Sequence, residues 1–308
     1  MNTITPVLEA KQISKKFQKV QAVKSLNLSV YPGEIFGLLG PNGAGKTTTL
    51  EILEGLQVPD TGEIFMKGLD IRKHLQEIRK FSGIQLQSTS IYEKIRVKEV
   101  LDLFSSYYKV STSSDDLIAK VSLQEKSRSL VKTLSGGQKQ RLALALAMVH
   151  DPEILFLDEP TTGLDPQARR NIWQIILDLK SQGKTILLTT HYMDEAEQLC
   201  DRIAIMDAGE IKLIGTPAEL IKQLPVEATI RVNLLEPILP FPTLPGVAEI
   251  KEEGKYIKLG TRDLTQTLRA LLTLPESISQ KINFHDLQIS RSTLEDLFIY
   301  LTGKQLRE

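Results

Sequence analysis

The chain has 308 residues, beyond the ~150 of one ordinary domain, so one large or two unequal domains are expected. Its 41% hydrophobic and 25% charged residues are those of a globular protein with a sizeable core and exclude wholesale disorder. Lys plus Arg and Asp plus Glu are both 38, and this balance gives no support for a nucleic-acid binder held by a broad basic field.

Cys200 is the only cysteine, which excludes an intramolecular disulfide and thiol-rich metal clusters and fits a reducing compartment. Residues 1–10 contain Pro6 and Glu9 and lack a long apolar core, so they do not read as a secretory signal. The longest uninterrupted apolar run, residues 142–149, is far short of the ~20 residues needed to span a bilayer. Any role in transport therefore requires a partner chain.

Along the chain, Leu26, Leu28 and Val30 alternate with polar residues as a half-buried strand closed by Pro32-Gly33. Residues 35–39 form a continuous apolar run suited to a strand buried on both faces. The next stretch, Gly40-Pro41-Asn42-Gly43-Ala44-Gly45-Lys46-Thr47-Thr48, satisfies the G-x-x-x-x-G-K-[ST] pattern, and a helix is predicted over 47–53. Glycines allow the backbone to curl so that successive N–H groups face phosphate oxygens, and the helix N-terminus adds positive partial charge. Lys46 suits the β- and γ-phosphates, and the Thr47 hydroxyl suits Mg²⁺. A Gly-rich turn carrying Lys and Thr by chance is the weaker reading, because strand, motif and helix occur together.

Residues 154–157 read as a second buried strand, and Asp158 and Glu159 emerge at its end, where ligands bind in open α/β sheets. Asp158 suits Mg²⁺ coordination, and Glu159 suits positioning or polarising an attacking water. Asp165 is placed as N-cap and Pro166 as the first residue of a helix whose apolar face is Ile172, Ile175, Ile176 and Leu179, with Gly183 just past its end. Trp173 beside that face reads as packing. Residues 185–190 form a third buried strand ending at His191, which shares the strand-end edge with Asp158 and could reach a γ-phosphate. Gln87, after an apolar segment at 84–86, is the candidate metal and water ligand. His74, His150 and His285 read as structural or exposed. Strand–helix–strand alternation predicts a mainly parallel sheet with helices packed on it.

The pattern changes near residue 225, giving predicted domains at 1–225 and 226–308. In the second, strands are expected over 230–235, 256–259 and 282–289 and a helix over 264–274. Ser292 and Glu295 have capping-box spacing for a last helix through Leu301. This reads as a small α+β appendage.

At Leu134-Ser135-Gly136-Gly137-Gln138 the chain resembles the signature motif of ABC ATPases, and the rest of that set follows in order: Gln87 as the Q-loop, residues 154–159 as Walker B, Gly163-Leu164-Asp165 as the D-loop and His191 as the switch histidine. The closer resemblance is to ATP-binding subunits of ABC-2 type exporters of the drug- and antibiotic-resistance group. It is carried by Thr189-Thr190-His191-Tyr192-Met193-Asp194-Glu195-Ala196 and by the tail Thr293-Leu294-Glu295-Asp296-Leu297-Phe298. The resemblance implies an α/β P-loop NTPase of ABC type, with a mainly parallel sheet core, an antiparallel β subdomain and a helical arm at about 88–150, besides the appendage. It implies ATP with Mg²⁺ as ligands and Phe17 as the aromatic residue against adenine. Catalytic roles fall on Glu159, His191, Lys46, Gln87 and Asp165. Metal ligation falls on Thr47, Gln87 and Asp158. Ser135, Gly136, Gly137 and Gln138 become a second anion cradle, closing on ATP held by an opposite subunit. The implied partners are a transmembrane permease of ABC-2 type and a second ATPase subunit; a homodimer is the simplest choice, and a heterodimer with a related ATPase stays open. Such a protein sits at the cytoplasmic face of the membrane.

A soluble ABC ATPase acting on ribosomes or in cluster assembly, and an importer subunit, are the alternatives. Ribosome-acting relatives usually carry two cassettes and basic linkers, which this chain lacks, and residues 48–153 hold no heptad coiled coil of the DNA-repair kind.

Overall fold

The computed structural model describes residues 5–87, 91–108, 112–238 and 240–303. Residues 1–4, part of the expected N-terminal reading, and 88–90 and 109–111, part of the expected helical arm, lie outside them. The chain divides into two compact units, one ending at Thr216 and the other beginning at Pro217.

In the first unit, β1 (Leu8–Phe17) and β2 (Val20–Val30) form a hairpin, and β3 (Ile35–Leu39) leads through the glycine-rich loop into α1 (Lys46–Leu53). There follow β4 (Thr61–Met66), β5 (Leu69–Asp70), α2 (Ile71–Ile78) and β6 (Ser82–Gln85). A helical region holds α3 (Val97–Tyr108), α4 (Ser114–Lys120) and α5 (Gly136–Ala147). The chain then alternates through β7 (Ile154–Asp158), α6 (Pro166–Ser181), β8 (Thr185–Thr190), α7 (Met193–Leu199), β9 (Arg202–Asp207) and β10 (Glu210–Gly215).

These strands make two sheets. The main one has the order β10-β9-β3-β8-β7-β6 and is parallel from β9 to β6, with β10 antiparallel at its edge. β3, β7 and β8 are buried at every position, which is why their central residues are apolar. The other sheet, β2-β1-β4-β5, is antiparallel. Its inward residues Leu8, Ala10, Ile13 and Leu26 join Leu50 and Leu53 of α1 and Phe36 and Phe156 of the main sheet in one hydrophobic cluster. The phosphate loop is therefore gripped between sheets. A Cβ on Gly40 would stand 2.3 Å from the Met206 carbonyl oxygen, and one on Gly45, at φ +95°, 2.3 Å from that of Ala22. Only glycine fits at either place.

The second unit opens with α8 (Pro217–Ile221), before the start expected at 226, and continues with β11 (Ala228–Leu234), β12 (Val247–Glu253) and β13 (Tyr256–Thr261). Then come α9 (Leu264–Leu272), α10 (Glu276–Ser279), β14 (Ile282–Arg291) and α11 (Leu294–Thr302). The earlier boundary has a packing cause: α8 buries Leu220 completely and lies against α11. Strands in the order β12-β13-β11-β14 form an antiparallel sheet around Ile230, Val232, Leu259 and Leu271. The last helix is capped one residue later than its spacing suggested. Thr293 and Asp296 form the capping box, because Ser292 ends the strand pairing, its N–H donating to Glu227 O and its hydroxyl to Val226 O.

Phe298 of α11 is fully buried. Phe298→Ala is expected to cost about 3–5 kcal/mol, the usual toll of emptying a packed aromatic site. Urea unfolding followed by circular dichroism should show the corresponding fall in midpoint.

Candidate nucleotide site

The glycine-rich loop leaves β3 and turns into α1 at Gly45, whose left-handed conformation starts the helix without any side-chain cap. No acidic residue stands in the first turn, so the leading N–H groups keep their positive partial charge for an anion. Around this turn lies a cavity of about 700 Å³. Asn42, Gly43, Gly45, Lys46, Thr47 and Thr48 line it together with Gln87 and Glu159. Residues of β2 (Val20, Ala22 and Lys24) close another side; their place here comes from long-range folding, and no sequence motif marks them.

Glu159 is the hub. Its carboxylate lies 3.4 Å from Lys46 Nζ and 3.3 Å from His191 Nδ1, and it accepts hydrogen bonds from Gln87 Nε2 at 3.2 Å and Thr162 Oγ1 at 2.9 Å. The His191 contact is one of proximity, for its ring nitrogen is not aligned as a hydrogen-bond donor. Glu159 also holds a left-handed backbone at φ 45°, which costs a residue with a Cβ of the order of 1 kcal/mol or more. Its N–H donates to Thr189 Oγ1 at 2.9 Å, fixing that conformation. Proximity of His191, with help from Lys46 and Thr162 against the opposing effect of burial, holds the Glu159 carboxyl down to about 2.

Lys46 is buried and donates to the carbonyls of Gly40 and Pro41 at 2.9 and 3.2 Å. Burial pulls its ammonium below the ordinary lysine value, while Glu159 and Asp158 pull it back. Asp158, next to Glu159, accepts from Thr47 Oγ1 at 3.3 Å and from the Thr189 hydroxyl. Burial pushes its carboxyl up, opposed by those two hydrogen bonds. The oxygens of Thr47 and Asp158, with the Gln87 amide nearby, form a hard, oxygen-rich set of few protein ligands. That set fits Mg²⁺, which keeps several waters and takes further oxygens from phosphates.

Other expected site residues stand apart from this cavity. Phe17 is half-exposed at the β1–β2 turn and does not line it, whereas Val20 of the same turn does. Ser135 caps α5, its Oγ accepting from Gln138 N while the Gln138 side chain accepts from Ser135 N. Gly136 and Gly137 face Leu164 and Ala168, so the signature loop does not share the cavity of its own chain's phosphate loop. Asp165 caps α6, accepting from Gln167 N and Ala168 N at 3.0 and 2.9 Å. Trp173, expected to do no more than pack, also donates from Nε1 to Glu195. Thr162 and Thr189 hold the two acids, a role that the sequence did not assign to them.

The fold and the cavity define a P-loop NTPase with its acids at the carboxyl ends of parallel strands. An ABC transporter family model matches residues 23–162. The chain is 36% identical to the Nod factor export ATP-binding protein I of Burkholderia lata, over 98% of both chains. It is 33% identical to the linearmycin resistance ATP-binding protein LnrL of Bacillus subtilis, over 98% of this chain and all of that one. Among solved structures it resembles an ATP-binding subunit of an ABC transporter (TM-score 0.64, 29% identity, 70% of this chain and 92% of that one). It also resembles a dimeric post-hydrolysis ATP-binding cassette with ADP and Pi (TM-score 0.62, 26% identity, 68% and 98%). The chain belongs to the ABC transporter family and is an ATP-binding ATPase.

Because the Glu159 carboxyl drops from its ordinary 4.5 to about 2 on folding, the ionised form stabilises the fold fully above about 4.5, and that contribution is lost as pH falls towards 2. Thermal melting of the protein and of Glu159→Gln across this range should show a stability difference with this pH dependence, largest on the neutral side. A difference independent of pH would mean that the carboxylate gains nothing from its neighbours.

Proposed function

We propose that this chain hydrolyses Mg-ATP to drive a separate membrane permease of ABC-2 type in export, working as one of two ATPase subunits at the cytoplasmic face of the membrane. The observation that carries the reading is the convergence on Glu159 of the phosphate-loop lysine, Gln87 and His191. Phosphate oxygens would take Lys46 and the α1 N–H groups, and Thr47, Asp158 and Gln87 would hold Mg²⁺. The ion shields phosphate charge and orients the reacting group. Glu159 orients the attacking water by accepting a hydrogen bond from it. With its carboxyl near 2 it is a weak base, and its basicity rises as phosphate draws Lys46 away.

Only one phosphate loop and one signature loop occur in the sequence, and the two do not meet in one cavity. That supports a sandwich in which Ser135, Gly136, Gly137 and Gln138 of one subunit close on the nucleotide of the other, with Asp165 at the seam. The permease side has its own candidate surface. An open groove of about 450 Å³ runs between β6, α3 and α5, and it exposes Leu86, Tyr92, Leu103 and Phe104. An apolar groove of this kind suits a short helix of a partner. Leu86 lines the groove and the next residue, Gln87, lines the nucleotide cavity, so adjacent residues would carry the signal between them. The export names of the Burkholderia and Bacillus relatives favour outward transport.

Glu159→Gln is expected to bind ATP as the parent does but to lose nearly all steady-state turnover, because shape is kept and charge removed. Phosphate release and nucleotide titration measure the two separately, and near-normal hydrolysis would remove Glu159 from the catalytic role. Affinity capture from detergent-solubilised native membranes is expected to recover a polytopic membrane protein in stoichiometric amount. Recovery with ribosomes or assembly factors alone would overturn the assignment to transport while leaving the ATPase intact.

A further inference from the structure

Behind the acids lies a buried carboxylate that forms no ion pair among the described residues. Glu195, in the first turn of α7, is wholly buried, and one oxygen, Oε1, accepts from Thr161 Oγ1 at 2.7 Å and from Trp173 Nε1 at 2.9 Å. Burial pushes its carboxyl up. Placing such a group in a core is expensive, and an apolar residue would fill the space at lower cost. The three segments it joins explain its place. Thr161 is also fully buried and sits in the turn that carries Glu159 and Thr162, where Thr162 N donates to Glu159 O and Leu164 N to Thr161 O on the way to Asp165. Trp173 belongs to α6, which Asp165 caps. α7 itself begins two residues after His191.

A second tie lies further out on the same elements. Arg169 of α6 pairs with Asp194 at 3.2 Å and stacks on Tyr192, 4.1 Å from its centroid, and the Tyr192 ring lies 4.1 Å from that of His191. Both ends of the 3.3 Å contact between His191 and Glu159 are thus anchored to α6, one through Thr161 and Trp173 and the other through Tyr192 and Arg169.

We propose that Glu195 is a positioning residue for hydrolysis: its Oε1 pins the Glu159–Asp165 turn to the helix after His191, setting the spacing of those two side chains. This rests on the catalytic reading of Glu159 given above. The geometry assigns the work to an acceptor oxygen rather than to charge, since both donors share one atom. A carboxamide oxygen can serve both equally, so Glu195→Gln and Glu195→Ala separate the two explanations.

The test is kcat for ATP hydrolysis and Kd for ATP, measured on the full chain. Glu195→Ala is expected to lower kcat roughly tenfold or more, the scale of an ångström-level misplacement, with Kd held within about twofold. Glu195→Gln is expected to recover most of that loss. Thr161→Val, near-isosteric and lacking the donor, should lower kcat in the same way without moving Kd, and it carries the test if the alanine variant does not fold. Parental kcat in Glu195→Ala or Thr161→Val, or a glutamine variant no better than alanine, overturns the proposal. Glu159→Gln assayed alongside keeps the two readings apart. Turnover by that variant removes the catalytic reading itself, whereas its inactivity beside a fully active Glu195→Ala removes only the role of Glu195.

Discussion

The buried contact between Lys46 and Glu159 is the constraint on which the rest of the first unit depends. Charges out of water must meet partners, and these two come from segments far apart in the chain. To bring them to 3.4 Å, β3 and β7 must lie on either side of β8 in one parallel sheet, with the loop after β3 folded back over the strand ends. That return path runs against β2 and β9, which is why Gly40 and Gly45 pass within contact of carbonyl oxygens there. The left-handed backbone of Glu159 belongs to the same requirement, since it turns the carboxylate back over the loop and Thr189 holds it.

The elements legible in the sequence are those whose cause is local. β3 is an apolar run, β8 has an apolar centre of three residues, and α6 has Asp165 and Pro166 at its start and Gly183 beyond its end. β12 was not legible: its sequence VAEIKEE is mostly exposed and polar, and it is a strand only because β13 pairs with it. The same holds for β1 and β4, joined by pairing across some fifty residues. At the site, the residues that make chemistry announced themselves by motif. For those that hold them, Thr162, Thr189 and Glu195, the resemblance reached the residues but not their roles, because hydroxyls and a single acid gain meaning only when distant strands meet. Phe17 was marked by the resemblance and its place before the phosphate loop, and Val20 of the same turn lines the cavity.

The first unit thus separates its tasks along one sheet. Nucleotide chemistry lies at the carboxyl ends of β3, β7 and β8, while the apolar groove lies beside the edge strand β6. A rigid parallel sheet between them gives little under load, because its interior is close-packed. The segments after the strands carry Gln87, the Glu159–Asp165 turn and His191. The second unit repeats none of this architecture; its sheet is antiparallel with its own core.

The cap of α5 has a consequence for the proposed sandwich. Ser135 Oγ accepts the Gln138 N–H, and Ser135 N donates to the Gln138 side chain, so the capping box closes within the loop itself. The hydroxyl proton of Ser135 is not needed for that cap. In the sandwich proposed above, an arriving anion would take it without breaking the capping box, and a departing one would leave that box intact.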